Sequence, residues 1–147
     1  MNKFVVGFCT ALLVMISSVT YSCELQAIPV AEQRWGCGCS YYFPSNLPIR
    51  PDIVLQTALD GTHPIMMREG KLVSLWGAKE SPLLTQAGLS LAQNFRYQAT
   101  AITVENQVRP GCTWGEQGCE VVGYISQIST FENYQQCQWN LQGDCGC

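Results

Sequence analysis

Residues 65–76 read IMMREGKLVSLW. Two apolar runs flank Glu69-Gly70, and glycine adopts without steric cost the positive φ that a tight hairpin turn requires. The stretch predicts a β-hairpin, and the chain on both sides of it reads the same way. Residues 95–104 (FRYQATAITV) interleave polar and apolar side chains, with Thr, Ile and Val suited to a pleated, half-buried surface. Residues 120–128 (EVVGYISQI) predict its partner strand, just beyond a turn-rich loop. Residues 52–59 (DIVLQTAL) carry a helix-start signal in Pro51, but Ile-Val-Leu followed by Asp60-Gly61 favours a strand and turn. Residues 81–92 (SPLLTQAGLSLA) hold the one expected helical turn, with Ser81 as cap, Pro82 as first residue and Gly88 as terminator.

Short strands punctuated by Gly and Pro, with little helical periodicity, predict an all-β domain. A small barrel or sandwich of about five to seven strands fits, an OB-like barrel among them, and fold analogy transfers no function. At 147 residues the chain has the length of one domain. Five of its seven prolines (29, 44, 48, 51 and 64) precede residue 65. Residues 23–64 therefore read as an extended, Pro- and Cys-containing arm with a first strand, and residues 65–147 as a β-rich core with a Cys-rich tail.

Residues 1–22 read as an export signal. Lys3 precedes the apolar run FVVGFCTALLVMI at 4–16, too short to span a bilayer, and Thr20 and Ser22 suit signal peptidase with cleavage before Cys23. No other segment is apolar enough for a transmembrane helix. The expected location is the bacterial periplasm or the medium. A lipoprotein anchored to the outer membrane through Cys23 is the alternative, weakened by the odd thiol count that acylation would leave.

Without residues 1–22, seven basic residues face eleven acidic ones, a formal −4, which excludes the basic footprint of a nucleic-acid binder. The mature chain keeps eight cysteines: Cys23, Cys37, Cys39, Cys112, Cys119, Cys137, Cys145 and Cys147. An even count in an exported chain predicts four structural disulfides. Cys112 and Cys119 bracket CTWGEQGC, and a bridge between them would staple the loop and present Trp114 and Glu116 to a partner. Cys37-Gly38-Cys39 and Cys145-Gly146-Cys147 are the same triplet at opposite ends of the mature chain. Each is expected to split its bonds, tying arm and tail to the barrel.

Other chemistry finds less support. A Cys-Gly-Cys triplet could serve thiol–disulfide exchange, but the usual motif has two intervening residues, and Arg34 is the one cation near Cys37. Zinc sites favour wider cysteine spacing, and His63 adds one imidazole at most, so no metal or cofactor is expected. His63 could be oriented by Asp60 as a general base, yet no nucleophile elbow, HExxH or P-loop accompanies it. The balance is against an enzyme. Tyr41-Tyr42-Phe43 gives the stronger binding argument, because alternation along a strand cannot bury all three rings on one side. The expected function is an exported, disulfide-stabilised β-domain with a binding or structural role, its partner a protein or a carbohydrate. The alternatives are a thiol–disulfide protein and a secreted inhibitor presenting the 112–119 loop.

Overall fold

A computed structural model describes residues 23–45, 51–111, 117–118 and 120–147. Eight strands form one antiparallel sheet: β1 (Gly38–Tyr42), β2 (Ile53–Thr57), β3 (Ile65–Arg68), β4 (Lys71–Ser74), β5 (Ser90–Tyr97), β6 (Thr100–Val108), β7 (Val121–Glu132) and β8 (Gln135–Gly146). Their order, β4-β3-β2-β1-β8-β7-β6-β5, is that of two meanders joined where the first strand pairs with the last. The sheet curls until its edges approach, and Trp76, just past β4, exchanges both backbone hydrogen bonds with Arg96 of β5 at 3.0 and 2.8 Å. This is the up-and-down plan of an open barrel, not the five-stranded Greek key of an OB-fold.

The predicted hairpin is β3–β4, with Arg68 opposite Lys71 and positive φ at both Glu69 and Gly70. Residues 53–57 of the ambiguous 52–59 segment form a strand. Residues 95–104 form no single strand, because Gln98 at φ 52° turns the chain between β5 and β6. A second turn at Asn133 and Tyr134 joins β7 to β8. Neither turn carries a glycine, so the expected strand number falls short of the eight found. The Cys-rich tail is itself β8, paired with β1 on one side and β7 on the other. Gln136, Gln138, Asn140 and Gln142 occupy outward positions of a strand whose inward positions are Cys137, Trp139, Leu141, Gly143 and Cys145.

The helical turn expected at 81–92 is absent. Gly88 N–H donates to Val108 O at 3.0 Å, and the Tyr124 hydroxyl donates to Leu84 O at 2.7 Å. Those backbone groups serve tertiary contacts in place of helical ones. Leu83 and Leu84 thereby close one end of the barrel against its core.

The core is the inward row of each strand: Tyr41, Leu55, Met66, Phe95, Ile102, Val104, Ile128 and Leu141 are buried in one cluster. A polar chain runs through it. Ser126 Oγ donates to Asn106 Oδ1 at 2.7 Å, and Asn106 Nδ2 donates to the Tyr41 hydroxyl at 3.1 Å. The arm contributes Leu25 to this cluster. It then pairs Gln26 with Met67, and Ile28 N–H donates to Ile53 O at 2.7 Å, threading the splay between β2 and β3. Ile28, Ile53, Ile65 and Met67 form a second, smaller cluster under it.

Candidate functional site

The two Cys-Gly-Cys triplets bond to each other. Cys39 lies opposite Cys145 and Gly38 opposite Gly146 in the β1–β8 ladder, so the triplets run antiparallel and zip together as Cys39–Cys145 and Cys37–Cys147. Neither triplet splits its bonds between separate parts of the barrel, as the sequence led us to expect. The arm is tied independently by Cys23–Cys137. Cys112, Trp114, Glu116 and Cys119 lie outside the described residues.

Cys39 and Cys145 are buried, whereas Cys37 and Cys147 sit exposed at the rim. A recess of about 250 Å³ adjoins Cys37, with Arg34, Trp35 and His63 on its walls. Arg34 Nη1 donates to His63 O at 2.5 Å. Asp60 does not bond His63 directly, because Thr62 lies between them. The Asp60 carboxylate accepts from Thr62 Oγ1 at 2.6 Å and Thr62 N at 2.9 Å, and Thr62 Oγ1 lies 2.8 Å from His63 Nδ1. The Thr62 bonds hold the Asp60 carboxyl below its ordinary pKa. Among the described residues no group of three or more His, Cys, Asp or Glu could hold a metal ion.

The aromatic run separates as strand alternation dictates. Tyr41 points inward and is 1% exposed, and burial pushes its pKa up to about 12. Tyr42 points outward and donates to Asp144 Oδ2, while Arg109 donates to Asp144 Oδ1 at 3.1 Å. Burial first, then the bond and charge of Asp144, raise the Tyr42 pKa to about 12. Phe43, 37% exposed, is the most open ring of the three. Tyr41-Tyr42-Phe43 is therefore not a three-ring platform.

A wider surface lies on the outer face of β5–β8. Strand register places Trp76, Arg96, Ala101, Phe131 and Gln136 in one row across the sheet. The Arg96 guanidinium carbon lies 5.9 Å from the centre of the Trp76 ring, within cation–π range. Trp76 is 56% and Phe131 52% exposed, and Tyr134 in the adjoining turn is 97% exposed. Two residues further along the strands comes the row Asn94, Thr103, Ser129, Gln138, and two further the row Ala92, Glu105, Gln127, Asn140. The last row and its neighbour Ser90, Gln107, Ile125 line an open groove of about 450 Å³, deepened where Ser90 and Ala92 are short.

Cross-strand bonds fix the amides of this face. Gln127 Nε2 donates to Asn140 Oδ1 at 3.2 Å, and Thr103 Oγ1 donates to Asn94 Oδ1 at 2.9 Å. The sequence holds the signal for this ladder, Gln or Asn at positions 136, 138, 140 and 142, but amides at every second position look like a polar tail until both strand partners are known. By comparison, the cavity beneath residues 81–83 inside the barrel is about 20 Å³, room for one water.

No protein-family model, curated protein or solved structure matches this chain.

Proposed function

We infer that residues 1–22 direct export and that residues 23–147 form a disulfide-clasped β-domain that works by binding, through the outer face of β5–β8. The observation that carries this reading is the juxtaposition on one open sheet face of two exposed rings, Trp76 and Phe131, with Tyr134 exposed in the adjoining turn and a groove of about 450 Å³ two rows away. Exposed rings grouped on one surface, unlike single scattered ones, are a mark of interaction surfaces.

Export is supported by three disulfides, which persist in oxidising compartments, and is compatible with the lack of any described helix long and apolar enough to cross a membrane. The Cys23–Cys137 bond occupies the sulfur that lipid attachment would need. This favours simple cleavage before Cys23 over the lipoprotein form. Amino-terminal sequencing of the protein recovered from its native compartment should begin at Cys23, and its intact mass should contain no diacylglyceryl group.

Sedimentation with insoluble envelope and extracellular material from the producing cells tests the binding reading. The mature protein should pellet with that material, and Phe131→Ser, folded as judged by circular dichroism, should stay in the supernatant. Equal pelleting of the two proteins, or none by either, overturns the assignment of this face.

A further inference from the structure

We propose that the ligand of the β5–β8 face is a neutral polysaccharide chain, lying along the strands from the Phe131 row to the groove at Gln127 and Asn140. This rests on the binding reading above and gives it a ligand class.

Glu105 is the one charged residue lining the groove, and no Lys or Arg lines it. Within the groove an anionic polymer would meet a carboxylate and no counter-charge, the Arg96 guanidinium in the Phe131 row being stacked over Trp76, and a divalent cation would find one carboxylate where it needs several oxygen ligands. The remaining polar groups are amides and hydroxyls, which match uncharged hydroxyls.

Their arrangement adds a second constraint. The Gln127–Asn140 bond consumes one Gln127 donor and leaves the Gln127 carbonyl as an acceptor beside the Asn140 amide as a donor. An adjacent donor and acceptor are what a pair of vicinal hydroxyls requires, since each hydroxyl both gives and receives. Glu105, opposite Gln127 in the ladder, can accept from two further hydroxyls. Because the amides are already fixed to one another across the strands, less side-chain freedom is lost on binding.

The rings supply the apolar part. A pyranose has one face of axial C–H groups, which packs on an aromatic ring while its equatorial hydroxyls reach sideways. Phe131 lies four residues from Gln127 on the same face of β7, a separation of about 13 Å, which about three sugar units span. A single sugar would engage rings or amides, and a chain engages both.

An extended peptide fits less well. Peptides commonly dock by adding a strand to a free sheet edge, whereas the rings and the groove lie on a sheet face, and the edges β4 and β5 already meet at the Trp76–Arg96 pair.

Affinity electrophoresis of the mature, oxidised protein tests the inference, with gels containing dextran, xylan, mannan or β-1,3-glucan, and alginate as the anionic probe. At least one neutral polymer should retard the protein, with alginate without effect. Asn140→Ala and Gln127→Ala should each weaken retardation about fivefold, the worth of one neutral hydrogen bond. Trp35→Ser, which removes an exposed ring at the far rim, should leave it unchanged. Migration unaffected by every neutral polymer, retardation by alginate, or wild-type behaviour of Asn140→Ala overturns the inference. If sedimentation with extracellular material still depends on Phe131 while no neutral polymer binds, the binding reading stands and the ligand is a protein. If neither assay depends on the face, both readings fall.

Discussion

The Tyr41 ring on β1 lies so close to Gly143 on β8 that a Cβ at Gly143 would sit 2.9 Å from two of its ring carbons. The two residues are also ladder partners, at the junction where the first and last strands of the barrel meet. A methyl group there must displace a fully buried ring whose hydroxyl is already bonded to Asn106. Gly143→Ala should therefore cost about 2–3 kcal/mol by overpacking, read as a lower urea midpoint at unchanged m-value. A midpoint equal to wild type would show that Tyr41 can move aside freely.

The paired triplets predict strong non-additivity. While Cys39–Cys145 is intact, Cys37–Cys147 closes a circuit of only a few residues, and the reverse also holds. Removing either bond as a Cys→Ala pair should cost about 2 kcal/mol in the chain-entropy model. Removing both leaves Cys23–Cys137 to hold the ends, opens a circuit of roughly 24 residues, and should cost about 5 kcal/mol. Accessibility separates the two bonds further. Mild reduction followed by alkylation should label Cys37 and Cys147 before Cys39 and Cys145, because a reductant can reach only the exposed pair. Simultaneous labelling of all four would mean that the junction opens as a unit.

Alkaline titration should expose the two tyrosines of β1. Both hydroxyls have folded pKa values near 12, against an ordinary value of 10.0. A raised folded value means that the unfolded chain loses its protons first. The stabilisation is thus complete below pH 10 and is lost as pH rises through 12. For buried Tyr41 the effect is on the order of 2–3 kcal/mol, whereas Tyr42, only partly buried and screened by solvent, adds little. Tyrosinate absorbance and far-ultraviolet circular dichroism should change together in that window. Asp144→Asn should return Tyr42 toward its ordinary value without moving Tyr41, and ionisation of both residues near pH 10 with the fold intact would contradict this account.

How legible this molecule is from its sequence depends on the range of the interaction. The β3–β4 hairpin follows from Glu69-Gly70 because its turn is local. Cysteine parity anticipates bridging, yet the pairing of the triplets depends on β1 meeting β8 across more than 100 residues, as the separations of 106 and 110 show. Residues 81–92 mislead because Val108 and Tyr124, distant in sequence, take the Gly88 N–H and the Leu84 carbonyl that a helix would pair. The binding face is the least legible part, since a row such as Trp76–Arg96–Ala101–Phe131 exists only once four segments are in register.

Tyr134 ties stability to binding in a way that one substitution can separate. The two-residue turn between β7 and β8 has positive φ at both Asn133 (49°) and Tyr134 (63°), the form in which glycine is preferred at the second position. Asparagine tolerates that region, whereas a bulky aromatic residue there carries roughly 1–2 kcal/mol of backbone strain. Since Tyr134 is 97% exposed, no packing within the chain offsets the strain. Tyr134→Gly should stabilise the domain by up to about 1 kcal/mol once the greater freedom of unfolded glycine is subtracted, raising the melting temperature by a few degrees. The same variant removes an exposed ring beside the Phe131 row and should weaken sedimentation with extracellular material. A gain in stability with loss of binding is the signature of a strained residue at a functional surface. If the melting temperature rises and binding is untouched, the strain is incidental and the binding face ends at Phe131.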